Sequence, residues 1–133
     1  MKGMKLTSLV FVYGTLKKGF GNHQLLEQSD FLARAFITRT KLLNLGAFPA
    51  VIVGGRKEVE GELYEVNSKT LERLDRLEGH PSFYERRKVL VYPLDFGLPP
   101  VPAWCYFLSK ASQAHYEKLC PVIETGIWNG HRA

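Results

Sequence analysis

Short segments rich in β-branched and aromatic residues recur along this chain, and they constrain its fold more than any other feature. Such segments favour β-strands, and the glycines and prolines between them mark turns and loops. We predict strands at Leu9–Tyr13, Ala33–Leu45 (one long strand or two short ones), Ala50–Val53, Val59–Val66, Tyr84–Tyr92 and Ala103–Leu108. Strands at this spacing predict a sheet that is strongly curved or closed.

Two or three short helices accompany the strands. A helix is predicted to begin near Asn22, a residue that caps helix N-termini well. Another is predicted over Ser68–Glu78, with Ser68 as its cap, because Gly79 is a natural terminator and Pro81 cannot continue a helix. Ser109–Leu119 has the pattern of a further helix. The fold class is therefore α+β.

Length and composition describe an ordinary globular chain. Its 133 residues, 45% hydrophobic and 23% charged, predict a single domain over residues 1–133 with its own core. No apolar run approaches the roughly 18 residues of a membrane span. The run Leu9–Tyr13 is shorter than the about 7–15 residues of a signal-peptide core, and no small-residue cleavage site follows it. We therefore expect a cytoplasmic protein with no membrane partner.

Cysteine and histidine spacing predicts no metal site. Cys105 and Cys120 are far from a CxxC spacing, and buried free thiols are a better interpretation than a disulfide. The four histidines lack the spacing of zinc ligands. Since no GxSxG, P-loop or GxGxxG motif is present, serine hydrolases, nucleotide-driven enzymes and dehydrogenases have no support.

The net charge of +5 raises the question of an anionic partner. The basic residues are dispersed, and the longest run, Arg86–Lys88, would alternate between the two faces of a strand. Nucleic acid is therefore a minor hypothesis.

Glu78 has an unusual place in the second predicted helix. At about 100° per residue, Leu71, Leu74 and Leu77 share one stripe, and Glu78 follows Leu74 by four positions on that stripe. Burying a carboxylate is costly unless it is paired. Its desolvation raises its pKa, which suits a general base or acid near neutral pH. In the alternative interpretation the carboxylate swings out to water from the helix end. Asp75, at the edge of the same face, is predicted to face solvent.

The turn Tyr13-Gly14-Thr15-Leu16 directly follows the first predicted strand. A glycine here lets the backbone turn sharply, so that successive N–H groups converge on an anion, and Thr15 adds a hydroxyl. The same tetrapeptide also fits a plain tight turn.

A third candidate group consists of Tyr84, Trp104 and Tyr106. A tyrosine hydroxyl near a carboxylate can orient a substrate amine, although most strand tyrosines belong to the core. His80, which follows the Glu78 segment, either assists proton transfer or is an exposed turn residue.

Several motifs occur together in a fixed order. They are VFVYGTLKKG at 10–19 with Asn22-His23, Pro49, VEGELY at 59–64, LDRLEG at 74–79, and Tyr84-Glu85-Arg86. With this combination the chain resembles the γ-glutamyl cyclotransferase-like family from about Leu9 to Leu108. It is most similar to the γ-glutamylamine cyclotransferase branch.

The resemblance implies a small mixed β-barrel with flanking short helices and a cavity at one end. The N–H groups of Tyr13–Leu16 would bind the α-carboxylate of a γ-glutamyl group, and Tyr84 and Tyr106 would lie near the substrate. Glu78 would be the general base for the α-amine, which attacks its own γ-carbonyl. The products would be 5-oxoproline and a free amine or amino acid. No cofactor is implied.

The substrate remains open at this point. A small γ-glutamyl amine or isopeptide such as γ-glutamyl-ε-lysine is the first hypothesis, and γ-glutamyl α-amino acids are the second. Removal of a γ-glutamyl protecting group from a biosynthetic intermediate is a further alternative within the family. Outside it, the alternative is a non-catalytic barrel that binds a small ligand or single-stranded nucleic acid. The sequence predicts no oligomeric state.

Overall fold

Six strands and three helices make up the part of the chain that the computed structural model describes, residues 6–95 and 97–130. The strands are β1 (Thr7–Val12), β2 (Asp30–Asn44), β3 (Pro49–Val53), β4 (Lys57–Asn67), β5 (Tyr84–Pro93) and β6 (Val101–Leu108). The helices are a 3₁₀ helix (His23–Leu26), α1 (Ser68–Glu78) and α2 (Lys110–Tyr116). Every predicted strand is present, with ends that differ by a few residues.

The strands form one mixed sheet that closes into a barrel. β1 pairs antiparallel with β4, β4 with β2, and β2 with β3. β6 lies parallel to both β3 and β1 and closes the ring. β5 pairs antiparallel with β6 and meets β2 at Ala35 and Phe36. The predicted α+β fold, a mixed barrel with short helices, is confirmed.

β2 is one long strand, and it bends near its middle. Its pairing with β4 shifts register between Ile37 and Thr40, where Arg39 adopts a left-handed φ of 59°. An irregularity of this kind bends a strand and increases its local twist. From Thr40 onward β2 pairs with β3, so a single strand joins two sides of the barrel.

β1 is buried on both faces, as predicted. Val10, Phe11 and Val12 are at most 3% exposed. Val10 and Val12 pack with Leu74 of α1, whereas Phe11 packs with Cys105 and other residues of the opposite face. β1 therefore ends between two packed layers, which fixes the position of the turn that follows it.

The helix caps differ from the prediction in two places. The side chain of Asn67, not that of Ser68, accepts the capping hydrogen bond in α1, from the N–H of Thr70 at 2.8 Å. Asn22 makes no side-chain cap for the 3₁₀ helix. Ser109 does cap α2, by accepting from the N–H of Ser112. α2 ends at Tyr116, three residues earlier than predicted.

The C-terminal segment packs back onto the barrel, although its sequence shows no periodicity. Val122 forms an isolated bridge with Leu43. Trp128 is 2% exposed, and its carbonyl accepts a hydrogen bond from Lys17 Nζ at 2.9 Å. These contacts fasten the segment beside the loop that follows the Tyr13–Leu16 turn.

The cysteines and helices add two simpler findings. Cys105 is buried and Cys120 is partly buried, and both are free. In the described ranges, no helix is long and apolar enough to cross a membrane.

A side chain at Gly61 would collide with β1. A Cβ there would overlap the carbonyl oxygen of Val12 and lie 2.8 Å from Phe11 Cζ. We expect Gly61→Ala to lower the free energy of unfolding by about 1–3 kcal/mol, the usual cost of overpacking. Urea denaturation is the measurement.

The matched control is Gly21→Ala, because an added methyl there meets nothing within 4 Å. Its unfolding free energy should stay within about 0.5 kcal/mol of wild type. Equal midpoints for the two variants would contradict the close β1–β4 contact at Gly61.

Candidate active site

A cavity of about 490 Å³ opens at one end of the barrel, a size typical of small-molecule sites. The turn after β1, the start of β3, the end of α1 and parts of β5 and β6 meet around it. Seven of the candidate residues named from the sequence lie in its wall. The cavity wall includes Tyr13, Gly14, Thr15, Leu16, Glu78, Tyr84 and Tyr106.

Glu78 lies at the last position of α1, on the cavity wall. Gly79 ends the helix with a left-handed φ of 64°, and its N–H donates to the Arg76 carbonyl. Within residues 6–95 and 97–130, no donor is within hydrogen-bonding distance of the Glu78 carboxylate. Desolvation raises the pKa of Glu78 from 4.5 to about 7. The carboxylate is therefore ready to exchange a proton near neutral pH.

The buried face of α1 is rotated relative to the prediction. Leu74 is fully buried and Leu71 partly so, but Leu77 is 42% exposed. The predicted burial of Leu77 was wrong. The prediction that Asp75 faces solvent was also wrong, because its side chain is only 22% exposed. The ion pair of Asp75 draws that side of the helix inward, and Leu77 moves to the cavity rim.

Asp75 is the centre of a polar network that holds α1 to the sheet. Arg86 of β5 donates from Nε to Asp75 Oδ1 at 2.9 Å and from a terminal nitrogen to Oδ2 at 3.0 Å. The Tyr106 hydroxyl donates to Oδ1 at 2.6 Å. Burial acts to raise the pKa of Asp75, but these hydrogen bonds outweigh it and lower that pKa. The network fixes the last turn of α1, and Glu78 with it.

The backbone polar groups of the turn after β1 fall into two sets. Its carbonyls are occupied: Gly14 accepts from the Lys17 N–H, Thr15 from the Asn22 N–H, and the Leu16 carbonyl contacts His23 Nδ1. In the described part of the chain, the N–H groups of Gly14, Thr15 and Leu16 have no acceptor. Converging free N–H groups are the features that bind carboxylates and phosphates.

Gly14 is required for the shape of this turn. A Cβ at Gly14 would lie 2.8 Å from Cγ and 2.9 Å from Cδ of Pro49, the first residue of β3. The backbone of Gly14 thus lies closer to the Pro49 ring than a residue with a side chain would allow.

The three tyrosine hydroxyls are used within the protein. Tyr13 donates to the carbonyl of Tyr106 at 2.7 Å and accepts from the Val51 N–H at 3.1 Å. Tyr84 donates to the carbonyl of Pro49 at 2.7 Å, and Tyr106 donates to Asp75. Burial raises the pKa of each phenol, so all three stay neutral. Their hydroxyls brace the wall, and all three residues line the cavity.

Two further candidates lie outside the cavity wall. Trp104 stacks against Arg86, whose guanidinium carbon is 4.3 Å from the ring centroid. His80 is partly buried rather than exposed, and its Nδ1 accepts the backbone N–H of Arg86 at 3.0 Å. His80 therefore helps to fix the start of β5.

Sequence reasoning missed the apolar half of the wall. Phe48 and Phe83 pack edge to face, with ring centroids 6.0 Å apart, and both line the cavity. Asn22, taken from the sequence as a helix cap, also lines it. Phe48 lies in the connection between β2 and β3, and Phe83 lies in the connection between α1 and β5. Sequence periodicity carries no signal in such connections.

Comparison with known proteins gives consistent matches. A family model described as gamma-glutamyl cyclotransferase, AIG2-like, matches residues 10–130. The chain is 37% identical to a putative gamma-glutamylcyclotransferase of Methanocaldococcus jannaschii, over 92% of this chain and 97% of the relative. It is 33% identical to the gamma-glutamylaminecyclotransferase of Homo sapiens, over 79% of this chain and 80% of that protein.

Solved structures show the same fold. An AIG2-like protein from Mus musculus superposes with a TM-score of 0.75 at 29% identity, covering 89% of this chain and 86% of that one. The relatives' names mention both γ-glutamyl and γ-glutamylamine cyclotransfer, so the comparisons do not distinguish the two branches.

The raised pKa of Glu78 makes a prediction about stability. The native state holds the proton more tightly than the unfolded state, so wild-type stability is lost as the pH rises from 4.5 to about 7. Glu78→Gln lacks this loss. We expect the variant to gain about 1–3 kcal/mol relative to wild type between pH 4 and pH 8, measured by denaturant unfolding.

Glu72→Gln, on the exposed side of the same helix, is the control and should show no such change with pH. If the difference in unfolding free energy between Glu78→Gln and wild type stays constant from pH 4 to pH 8, the Glu78 carboxylate is not desolvated.

The Asp75 network predicts the opposite pH dependence. Because the pKa of Asp75 is lowered, its stabilisation is present above its ordinary value of about 4 and is lost as the pH falls through the lowered pKa. Asp75→Asn should cost about 1–3 kcal/mol at pH 7, and less at pH 3. Asp95→Asn, at an exposed residue, is the matched control. A cost independent of pH would show that the ion pair does not carry the effect.

Proposed function

Because the chain belongs to the gamma-glutamyl cyclotransferase, AIG2-like family, as its motifs predicted, we propose that it converts a small γ-glutamyl amine or isopeptide into 5-oxoproline and a free amine. Glu78 is the general base of this reaction. The Tyr13–Leu16 turn binds the α-carboxylate of the substrate.

The single observation that carries the proposal is the unpaired Glu78 carboxylate in the cavity. Its pKa of about 7 lets it accept a proton at neutral pH and return it later in the same turnover. The free N–H groups of Gly14, Thr15 and Leu16 lie in the wall of the same cavity. A γ-glutamyl group carries both an α-carboxylate, which the Tyr13–Leu16 turn can bind, and an α-amine, which Glu78 can deprotonate.

The reaction then needs only proton transfers. Glu78 removes a proton from the α-ammonium, and the amine nitrogen attacks the γ-carbonyl carbon of the same residue. After the attack, the ring nitrogen still carries two protons and a positive charge. When the tetrahedral intermediate collapses, Glu78 gives the first proton to the leaving nitrogen and the C–N bond to it breaks. The ring nitrogen then loses its second proton through Glu78 to the released amine, which departs as an ammonium ion. Ring closure is intramolecular, so holding the substrate in a folded conformation supplies much of the rate.

The substrate class is the finer part of the proposal. The γ-glutamylamine branch is supported by the human relative, which is named gamma-glutamylaminecyclotransferase. γ-Glutamyl-ε-lysine is the first substrate to test, and γ-glutamyl-alanine represents the second class. The alternative of a non-catalytic nucleic-acid-binding barrel is not favoured, since the family is one of enzymes that act on γ-glutamyl compounds.

The test is mass-spectrometric detection of 5-oxoproline after incubation with γ-glutamyl-ε-lysine and, separately, γ-glutamyl-alanine. Product is expected from wild type. Glu78→Gln should reduce kcat by about 10²–10⁴ through loss of the base, whereas Glu72→Gln should retain activity. Residual Glu78→Gln activity within about tenfold of wild type would exclude Glu78 as the base.

The pH profile gives an independent check. Wild-type kcat/KM should rise with pH through about 7 and then level off, since the base must be ionised. A profile that is flat between pH 5 and pH 8 would contradict the assignment.

A further inference from the structure

We infer that Asn22 is a positioning residue that turns the Thr15 hydroxyl into a hydrogen-bond donor for the bound carboxylate. The inference rests on the proposed function, because it names the partner of one oxygen of the substrate's α-carboxylate. It concerns a residue that the reaction scheme above does not use.

Two contacts tie Asn22 to Thr15. The Asn22 side-chain Nδ2 donates to Thr15 Oγ1 at 2.8 Å. The Asn22 backbone N–H donates to the Thr15 carbonyl at 2.9 Å. Both residues line the cavity and both are partly buried. The Asn22 side chain, which the sequence predicts to cap a helix, therefore hydrogen-bonds to the turn after β1 instead.

The direction of the side-chain bond decides the chemistry. A hydroxyl has one hydrogen to donate and two lone pairs to accept with. Since the Asn22 amide N–H occupies a lone pair of Thr15 Oγ1, the hydroxyl hydrogen must point elsewhere. In the described part of the chain it has no acceptor, and the cavity is the space that Thr15 faces.

The result is a fourth donor beside the three free N–H groups of the turn. A carboxylate accepts such bonds well, and hydrogen bonds to a charged group are stronger than neutral ones. Without the Asn22 amide, nothing would fix the orientation of the Thr15 hydroxyl. With an acceptor in its place, the hydroxyl would donate to that acceptor and present only lone pairs to the substrate.

Asn22→Asp tests this directly, because it keeps the shape of the side chain and replaces the donor with an acceptor. Binding of γ-glutamyl-ε-lysine is measured by calorimetry in the Glu78→Gln background, where turnover does not interfere. We expect Asn22→Asp to raise Kd about tenfold or more. In a Thr15→Val background, the same change should lose most of its effect, with a coupling of about fivefold or more.

Three controls separate positioning from structural damage. Thr15→Ser keeps the hydroxyl, so it should bind nearly as wild type and leave the Asn22→Asp effect intact. Thr15→Val alone, with Asn22 unchanged, should weaken binding about tenfold. His23→Ala removes the other side-chain contact to the turn, the one to the Leu16 carbonyl, and its effect should not depend on Thr15. Unfolding midpoints show that each variant is folded.

The outcomes distinguish this inference from the proposed function. Equal weakening by Asn22→Asp with and without the Thr15 hydroxyl would overturn the inference, and so would the absence of ligand binding by the Glu78→Gln protein. If binding shows the expected coupling but wild type forms no 5-oxoproline, the inference stands and the proposed reaction is wrong.

Discussion

The free-energy cost of holding Glu78 in a desolvated wall is the constraint around which the site is built. A buried carboxylate without a donor favours its protonated form, and here it raises the pKa of Glu78 to about 7. The surrounding structure must hold that group in place without relieving the cost. Residue Glu78 is fixed by Leu74, which is fully buried beneath the same helix, and by the Asp75 network beside it. The desolvation of Glu78 lowers the free energy of unfolding, and it makes Glu78 a group that accepts protons at neutral pH.

The tyrosine hydroxyls of the wall are hydrogen-bonded within the protein. Tyr13, Tyr84 and Tyr106 donate their hydroxyl hydrogens to a carbonyl or to Asp75. Each of these bonds joins two elements, so the wall keeps its shape in the absence of a ligand. Rigid walls of this kind hold reacting groups in position. The unpaired groups are concentrated at the turn after β1 and at Glu78.

Local patterns predicted the strands, a strongly curved or closed sheet and the inward position of Glu78, because alternation, helical period and turn residues are properties of neighbouring positions. The mixed barrel was predicted from the family resemblance. The errors arose from contacts between distant residues. Asp75 faces inward because of Arg86 and Tyr106, 11 and 31 positions away. Asn22 is the N-cap residue of the 3₁₀ helix, but its side chain donates to Thr15 instead of capping the helix. Neither partner is visible in the helical period, so the prediction placed Asp75 in solvent and Leu77 in the core.

The same long-range network contains a cation, Arg86, that is paired with Asp75. A cation paired with Glu78 would lower its pKa and make it a poor proton acceptor at pH 7. Arg86 acts electrostatically on Tyr106, as Glu78 does. Its two hydrogen bonds to Asp75 commit the guanidinium to another carboxylate. Asp75 therefore holds the Arg86 guanidinium in an ion pair, and desolvation is the cause of the raised pKa of Glu78.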